Sequence, residues 1–308
     1  MKKAVRTIAA AALAIALAGC SSSTARSGST ASSSSSDTIK SLSDIRDGAS
    51  IGVPNDADNL DRALRLLVNK GLLEDPGTDD YVTETTFNGN DKLNPHKYEI
   101  VPVEAAQVAR SLEDYDIAVV NGNYALEAGL PDKHPAIEIE DFDTQGKINR
   151  TNFIVVEQDK LDSEKTKALV AAVTDQKVED YINDNYKGSV IPSFIDENGN
   201  EVKSEGVKAP SDKSDNTITV GATEVPHAEI LNNVVAGILE DAGWKLDVQT
   251  FTDYVTPNTA LEEGSLDANY FQTLTYMNDQ NDSNGLHLAA AVGVHIEPMG
   301  IYTAKDGN

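Results

Sequence analysis

Residues 50–71 read SIGVPNDADNLDRALRLLVNKG, a short apolar run followed directly by an amphipathic segment. Ser50 to Val53 has the length and composition of a buried strand, and Asp58 begins a helix that ends at Gly71. The apolar residues of this helix recur at helical spacing: Leu60, Ala63, Leu64, Leu67 and Val68. The stretch therefore predicts one strand-helix unit of an α/β sheet.

The same alternation of strands and helices continues along the rest of the chain. We predict strands at 98–103, 116–120, 136–139 and 152–156, with helices at 104–112, 163–174 and 177–185. A second series has strands at 217–221, 245–251, 267–270, 286–292 and 299–303, and a helix from Pro226 to Gly243. Two such series indicate two α/β lobes with parallel or mixed sheets, and a ligand is expected in the cleft between them.

A polar stretch separates the two series. Residues 195–216 contain Gly, Pro and alternating charges without an apolar period, which is typical of a linker or a long surface loop. We therefore expect one lobe at 38–152 and a hinge strand with helices at 153–194. After the linker, a second lobe at 217–308 would end in another hinge strand. This division leaves a single covalent crossing between the lobes, near Asn152.

The N-terminal segment has the layout of an export signal. Basic Lys2, Lys3 and Arg6 precede an apolar run and the small-residue sequence LAGC at 17–20. This ending resembles the lipobox of bacterial lipoproteins, so we expect a signal peptide at 1–19, a lipid on Cys20 and a Ser-rich tether at 20–37. The alternative is an ordinary signal peptide with an incidental cysteine. No later segment is apolar enough for a membrane span.

Composition excludes several classes of function. Cys20 is the only cysteine, so an internal disulfide and a cysteine-based metal site are both excluded. The formal charge is −25, and it becomes −28 once the three basic residues of the signal are removed. So acidic a chain repels phosphate backbones, and nucleic acid is not expected as a partner.

The motifs of catalysis are absent or lack their structural context. The chain has no HExxH, CxxC, Walker or GxGxxG sequence. Gly48 to Gly52 matches GxSxG, but Ser50 begins a strand instead of following one, which disfavours a Ser hydrolase. Asp196, Asn198 and Asn200 imitate the start of a calcium loop that lacks its sixth-position Gly and twelfth-position Glu. We expect no catalytic residue, metal or cofactor, and hence a binding protein.

Longer sequence blocks carry a resemblance to a known family. TVGATEVPHAEIL (219–231), FTDYVTPNTAL (251–261), DANYFQ (267–272) and VHIEPMGIY (294–302) are similar to successive blocks of the methionine-binding lipoprotein family, of NlpA type. IGVPNDADNLDRAL (51–64), VNGNYA (120–125) and YKGSVIPSF (186–194) resemble the family's other half. The second half of the family pattern comes first here, so the chain resembles a circularly permuted member. A natural permutation, a constructed permutant and a remnant of a tandem gene all remain open.

The resemblance implies a fold and a function. The fold would be that of type II periplasmic binding proteins, with two α/β lobes around a ligand cleft. The protein would be an extracytoplasmic lipoprotein, anchored in the cell membrane by its lipid, that captures L-methionine or a related apolar amino acid or dipeptide. It would deliver this ligand to an ABC permease and its ATPase. A degenerate, non-transporting surface interaction protein of the same fold is the alternative.

The resemblance also implies a role for each of seven residues. Arg62 would bind the ligand carboxylate, for which the alternative is a surface arginine paired to Asp58. Asn121 and Asn152 would hydrogen-bond the amino-acid backbone, with turn or cap duty as their alternative. Four residues would form the wall of the side-chain pocket, where a thioether gains from aromatic contacts: Tyr254, Phe271, Tyr276 and His295. Thr273 departs from the family, in which histidine is common at that position, so the ligand's identity stays open.

Overall fold

Strands and helices alternate along residues 38–307, which are the residues described by this computed structural model. The expected signal peptide, the lipid on Cys20 and the Ser-rich tether lie outside these residues. The described residues contain eleven strands, which are divided between a five-stranded and a six-stranded sheet. The mixed α/β class predicted for the chain is thereby confirmed.

The first sheet has the spatial order β2-β1-β3-β11-β4. Its strands are β1 (Ser50–Pro54), β2 (Glu99–Val103), β3 (Ile117–Val120), β4 (Glu138–Ile139) and β11 (Gly300–Tyr302). β1 pairs in parallel with β2 and β3, whereas β11 runs antiparallel to both β3 and β4. The last strand in sequence therefore lies inside the sheet formed by the first four.

The second sheet has the order β6-β10-β5-β9-β7-β8. Its strands are β5 (Thr151–Glu157), β6 (Ile191–Pro192), β7 (Thr217–Thr223), β8 (Lys245–Phe251), β9 (Ala268–Thr273) and β10 (Leu288–Ile296). β7 pairs in parallel with β8 and β9, and β5 runs antiparallel to β9 and β10. Each sheet thus has three parallel strands followed by one antiparallel strand, the arrangement of the type II binding-protein fold.

The chain crosses between the sheets twice. It leaves the first sheet after β4, enters the second at β5, and returns between β10 and β11. The expectation of a single covalent crossing near Asn152 is therefore wrong. β11 is continuous with β10 through residues 297–299, so it provides a second covalent connection between the lobes instead of a loose end. The lobe boundaries themselves remain a proposal.

Helices cover the sheets and place the polar residues at strand ends. They are α1 (Ala57–Asn69), α2 (Glu84–Phe87), α3 (Ala105–Val108), α4 (Gly122–Glu127), α5 (Leu130–Lys133), α6 (Thr144–Arg150), α7 (Glu164–Val173), α8 (Gln176–Tyr186), α9 (Ala236–Asp241), α10 (Thr256–Glu262) and α11 (Leu274–Asn284). α1 begins where the Asp56 side chain accepts a hydrogen bond from the Asn59 backbone N–H, an N-cap. Wider π-helical turns at Glu224–Ala228 and Leu231–Val235 precede α9, where a regular helix was predicted.

Apolar side chains bury both faces of each sheet. In the first lobe Ile51 and Val53 of β1 pack against Leu64 and Leu67 of α1, and all four are fully buried. The second lobe has its own cluster, which includes Ile154, Leu169, Ile218 and Tyr270. Burial of each such side chain contributes about 1.5–3 kcal/mol, so these clusters hold the strand ends in fixed positions.

The stretch predicted as a linker packs on the second lobe. The Trp244 Nε1–H donates to the backbone oxygen of Lys208 at 2.8 Å, and the Ser211 hydroxyl donates to Glu164 at 2.6 Å. Val202 and Val207 are partly buried against the core of that lobe. Residues 195–216 are therefore an ordered surface segment with two apolar attachment points.

Candidate functional site

A cavity lies where polar residues follow strands of both sheets. Its lining consists of Asn59, Arg62, Asn121, Gly122, Asn123, Asn152, Tyr254, Phe271, Gln272, Thr273, Tyr276 and Glu297. The space between the lining atoms is about 350 Å³. The cavity lies at a position where α/β folds commonly bind ligands.

The structure brings together six of the seven residues expected to bind a ligand. Arg62, Asn121, Asn152, Tyr254, Phe271 and Tyr276 line the cavity. The seventh, His295, is fully buried outside the lining; its Nε2 is bonded at 2.6 Å to Glu297, and it pairs with Asn152 across β10 and β5. Ligand binding by these residues remains a proposal, since position alone does not assign a role.

Arg62 is buried and held by acceptors from two elements. Its Nε lies 2.9 Å and its Nη2 2.5 Å from the Glu140 carboxylate, and Nη2 also donates to the backbone oxygen of Glu297 at 3.0 Å. The partner is thus Glu140, in place of the Asp58 considered from the sequence. These hydrogen bonds leave Nη1 unused among the described residues.

A second arginine extends the charge network. The Arg150 Nη1 donates to both carboxylate oxygens of Asp58 at 3.2 Å, and its Nε lies 4.0 Å from Glu140. Asp58 is almost completely buried. Two arginines and two carboxylates therefore neutralise one another beside the cavity, and this charge balance allows Arg62 to be buried and Arg150 to be half-buried.

Two amide groups of the lining have atoms without a hydrogen-bond partner among the described residues. They are Asn121 Oδ1, an acceptor, and Asn123 Nδ2, a donor. Both side chains are at least nine-tenths buried. A buried polar atom without a partner costs roughly 1–3 kcal/mol, which a ligand with complementary groups would recover.

Three aromatic rings form one wall of the cavity. The ring centroid of Tyr254 lies 5.8 Å from those of Phe271 and Tyr276, and Tyr124 stacks on its other face at 4.9 Å. The Tyr254 hydroxyl donates to Asn123 Oδ1 at 2.5 Å, and the Tyr276 hydroxyl to the backbone oxygen of Tyr254 at 3.0 Å. Burial raises the pKa of the Tyr254 hydroxyl well above its usual value, so the ring stays neutral.

Glu297 joins the cavity to a buried histidine pair. Its Oε1 lies 2.6 Å from His295 Nε2 and 3.3 Å from His227 Nε2. The other ring nitrogens are bonded to Tyr270 and to Thr223, respectively. Burial, together with the neighbouring His295, depresses the pKa of His227 well below its usual value. The neutral His227 ring can therefore donate from Nε2 to the Glu297 carboxylate, and the same nitrogen lies 3.2 Å from Oδ1 of Asn152 in the lining.

The three groups His227, His295 and Glu297 are also of a kind that binds metal ions. Two ligands of one tetrahedral zinc lie about 3.3 Å apart, because each metal-ligand bond is about 2 Å long. The separation of 2.6 Å between His295 and Glu297 is that of a hydrogen bond instead. This arrangement fits a proton-bonded network better than a metal site.

Gly122 allows residues 297–299, which connect β10 to β11, to lie close to the start of α4 beside the cavity. A Cβ atom at this position would lie 2.6 Å from the Cβ of Glu297 and 3.1 Å from the backbone oxygen of Pro298. Any larger residue would push the residues between β10 and β11 away from α4. The glycine therefore sets the distance between Glu297 and the amides that follow β3.

Sequence reasoning missed four polar residues of the lining. These are Asn59, Asn123, Gln272 and Glu297. Each lies inside a sequence block that carries the family resemblance. Each is also one to three residues away from one of the seven residues to which the resemblance assigns a role. Asn59, Asn123 and Glu297 follow the end of a strand within five residues, and this position was the available signal, whereas Gln272 lies within β9.

Three other residues have structural partners. The hydroxyl of Ser50 hydrogen-bonds to the side chain and backbone of Asp116, an arrangement without the base of a hydrolase. Thr273 is the N-cap of α11, where its Oγ1 accepts a hydrogen bond from the Tyr276 N–H. Asp196 accepts hydrogen bonds from the backbone N–H groups of Asn198 and Asn200 in a turn. Among residues 38–307, no helix is long and apolar enough to cross a bilayer.

Comparisons with known proteins agree with the resemblance. A family profile described as NlpA lipoprotein matches residues 32–194 and 218–307. A probable D-methionine-binding lipoprotein MetQ of Pasteurella multocida is 34% identical over 161 residues, which are 52% of this chain and 55% of that protein. Outer membrane lipoprotein 3 of Mannheimia haemolytica is 35% identical over 159 residues. The chain thus spans about half the length of the curated relatives it matches.

Solved structures give similar identities over shorter spans. A nutrient-binding protein of Burkholderia cenocepacia, solved bound to methionine, is 40% identical over 35% of this chain and 44% of its own, with a TM-score of 0.31. A lipoprotein of Ruminococcus gnavus is 38% identical over 48% of this chain and 60% of its own, with a TM-score of 0.44.

Proposed function

This chain belongs to the NlpA lipoprotein family, and from that premise we propose that it is an extracytoplasmic binding protein for methionine or a closely related amino acid. Two of the relatives described above are named or solved as methionine-binding proteins. The proposal includes delivery of the ligand to an ABC permease driven by its ATPase, with no chemistry on the ligand.

One observation carries the proposal, namely the combination of groups that line the cavity. Arg62, whose Nη1 has no partner among the described residues, can donate to a ligand carboxylate, and the Glu297 carboxylate can accept from an ammonium group. The unpaired acceptor of Asn121 suits an ammonium group, and the unpaired donor of Asn123 suits a carboxylate oxygen. The wall of Tyr254, Phe271 and Tyr276 suits an apolar or thioether side chain.

The anchor proposed for the protein is the lipid on Cys20. The Ser-rich segment after it would act as a tether that lets the binding lobes reach a permease in the same membrane. The acidic charge of the chain disfavours adhesion to anionic lipid headgroups, so the lipid would provide the attachment.

We further propose that the chain is circularly permuted relative to its family. The profile matches in two separate segments, and each curated relative aligns with about half the chain. An alignment that keeps sequence order can cover only one half of a permuted chain, which accounts for both observations. The Ile39 N–H donates to the backbone oxygen of Lys305 at 2.7 Å, so residues near both ends of the described chain are neighbours.

The decisive experiment is calorimetric titration of the purified protein in detergent, after unfolding and refolding to remove any carried ligand. L-methionine and D-methionine are both tested. We expect saturable binding that weakens on the order of 30-fold or more in Arg62→Ala, because truncating one partner of a buried charge pair costs at least about 2 kcal/mol.

Arg65→Ala is the matched control, since Arg65 lies on the same helix but pairs with Asp61 outside the cavity. It should bind as the unmodified protein does. If the folded protein shows no heat with either enantiomer, the methionine proposal fails, and the degenerate interaction protein becomes the better interpretation.

A further inference from the structure

The unpaired oxygen of Asn121 is one end of a chain of hydrogen bonds that begins at Asp56. The Asp56 Oδ1 accepts from the Asn59 backbone N–H at 3.0 Å and from Asn59 Nδ2 at 2.8 Å. The Asn59 Oδ1 in turn accepts from Asn121 Nδ2 at 2.7 Å. Asn121 Oδ1 then remains without a partner within the described residues and lines the cavity.

The direction of each amide in this chain follows from the first link. A backbone N–H can only donate, so Asp56 Oδ1 is an acceptor whatever the protonation of the other carboxyl oxygen. The Asn59 side chain must therefore turn its NH2 group toward Asp56 and its oxygen toward Asn121. Asn121 must in turn direct its NH2 group to Asn59, which leaves its oxygen for the cavity.

A second observation shows that Asn121 is diverted from its ordinary role. It occupies the N-cap position of α4, where an asparagine side chain normally accepts a hydrogen bond from the first turn of the helix. Here it makes no such cap bond. The side chain is instead committed to Asn59 on one side and to the cavity on the other.

We propose that Asp56 is a positioning residue that acts through Asn59 to fix the Asn121 amide with its oxygen toward the cavity. The site then requires a hydrogen-bond donor from the ligand at this point. This rests on the proposed function in one respect, because the donor would be the ammonium group of the amino acid. Asp56 itself need not touch the ligand.

The first test measures stability without ligand, so that it does not depend on the identity of the ligand. Thermal unfolding is followed for Asp56→Asn, Asn121→Asp and the double variant. Asn121→Asp alone places a carboxylate against Asn59 Oδ1. The Asn59 side chain cannot turn this oxygen away while Asp56 holds its NH2 group, so the midpoint of thermal unfolding should fall. Asp56→Asn alone keeps the acceptor and the N-cap, so its midpoint changes little.

In the double variant the Asn59 side chain can reverse. The new amide at position 56 can then offer an NH2 group to the Asn59 oxygen, while Asn59 donates to the new carboxylate at position 121. We expect the midpoint to lie above that of Asn121→Asp alone. Relief of charge repulsion would give the same result, so the cycle is repeated with Asn59→Ala. The rescue should vanish there, and a rescue that persists without Asn59 would overturn the proposal.

The second test compares the affinity for methionine with that for 4-(methylthio)butanoate, which lacks the ammonium group. Wild-type protein should prefer methionine. In Asp56→Ala, which removes the oxygen that holds Asn59 Nδ2, this preference should fall toward unity because the Asn59 and Asn121 amides can then point either way. An unchanged preference would refute the positioning role. Rescue in the stability cycle together with no methionine binding by the wild type would refute the proposed ligand alone.

Discussion

Replacement of Arg62 by alanine tests whether the charge network beside the cavity stabilises the folded protein as described. The side chain is 5% exposed and its partner Glu140 is 13% exposed. Removing one member of a buried ion pair costs about 3–5 kcal/mol, because the other charge is left without a partner. Arg150 stays 4.0 Å from Glu140 and compensates part of that charge, so we expect a loss of about 3 kcal/mol.

The assay is urea unfolding at pH 7 of Arg62→Ala, Glu140→Gln and the double variant, supported by thermal melts. A loss of this size should lower the unfolding midpoint by roughly 6–12 °C in a chain of this length. Neutralising Glu140 in the Arg62→Ala background should recover part of the stability, because the uncompensated charge is then gone. Arg62→Lys should fall between, since lysine keeps the charge but loses the two-point contact.

Two results would refute this reasoning. One is a loss below about 1 kcal/mol for Arg62→Ala, which is the range of exposed ion pairs. The other is strict additivity of the two substitutions, which would show that Arg62 and Glu140 do not interact in solution.

The remaining predictions concern four other positions. A histidine in the unfolded chain has a pKa near 6.5, and the pKa of folded His227 lies well below that value. Between the two pKa values the unfolded chain binds more protons than the folded protein. The free energy of unfolding therefore decreases as the pH falls from 7 to 5. In urea titrations His227→Gln should remove up to about 1.4 kcal/mol of this loss per pH unit. If the stability of the variant depends on pH as that of the wild type does, the prediction is wrong. Gly293→Ala should destabilise the protein by about 1–3 kcal/mol, because the new Cβ would lie 2.5 Å from Thr151 Cγ2. Gly237→Ala, where the Cβ would meet open space, should be neutral or stabilise by about 0.5–1 kcal/mol. Equal unfolding midpoints for the two variants would show that the packing around Gly293 is not tight. Trp244→Phe should cost about 0.5–1.5 kcal/mol and speed proteolytic cleavage within 202–209, because it removes the hydrogen bond to Lys208, and an unchanged cleavage rate would argue against that attachment.

Much of the secondary structure could be predicted because the apolar pattern is local. The strand at Lys245–Phe251 was predicted with its observed bounds, and the strand beginning at Ser50 with a difference of one residue. The pattern could not reveal how residues 195–216 pack, since Val202 and Val207 are isolated apolar residues without a period. Nor could it show that β11 leaves the second lobe, because strand pairing depends on distant residues.

The candidate site was predicted mainly through the family resemblance. Periodicity alone marks Arg62 as a residue of α1 and gives no sign that Glu140, 78 residues away, is its partner. The hydrogen bonds from Asp56 through Asn59 to Asn121 could not be predicted from the sequence either, because they join the starts of two different helices, α1 and α4. His295 was expected in the pocket wall, yet its ring lies behind Glu297, and only coordinates distinguish these two positions.

The insertion of β11 between β3 and β4 has a consequence for how the protein is made. Synthesis from the N-terminus produces β1 to β4 long before Gly300–Tyr302, so the first sheet lacks an internal strand until the chain is almost complete. During that interval the facing edges of β3 and β4 carry unpaired backbone groups. The nascent chain is thereby kept from completing its first sheet until its last strand has been made. Truncation before residue 300 would leave a polypeptide that cellular proteases can recognise as incomplete.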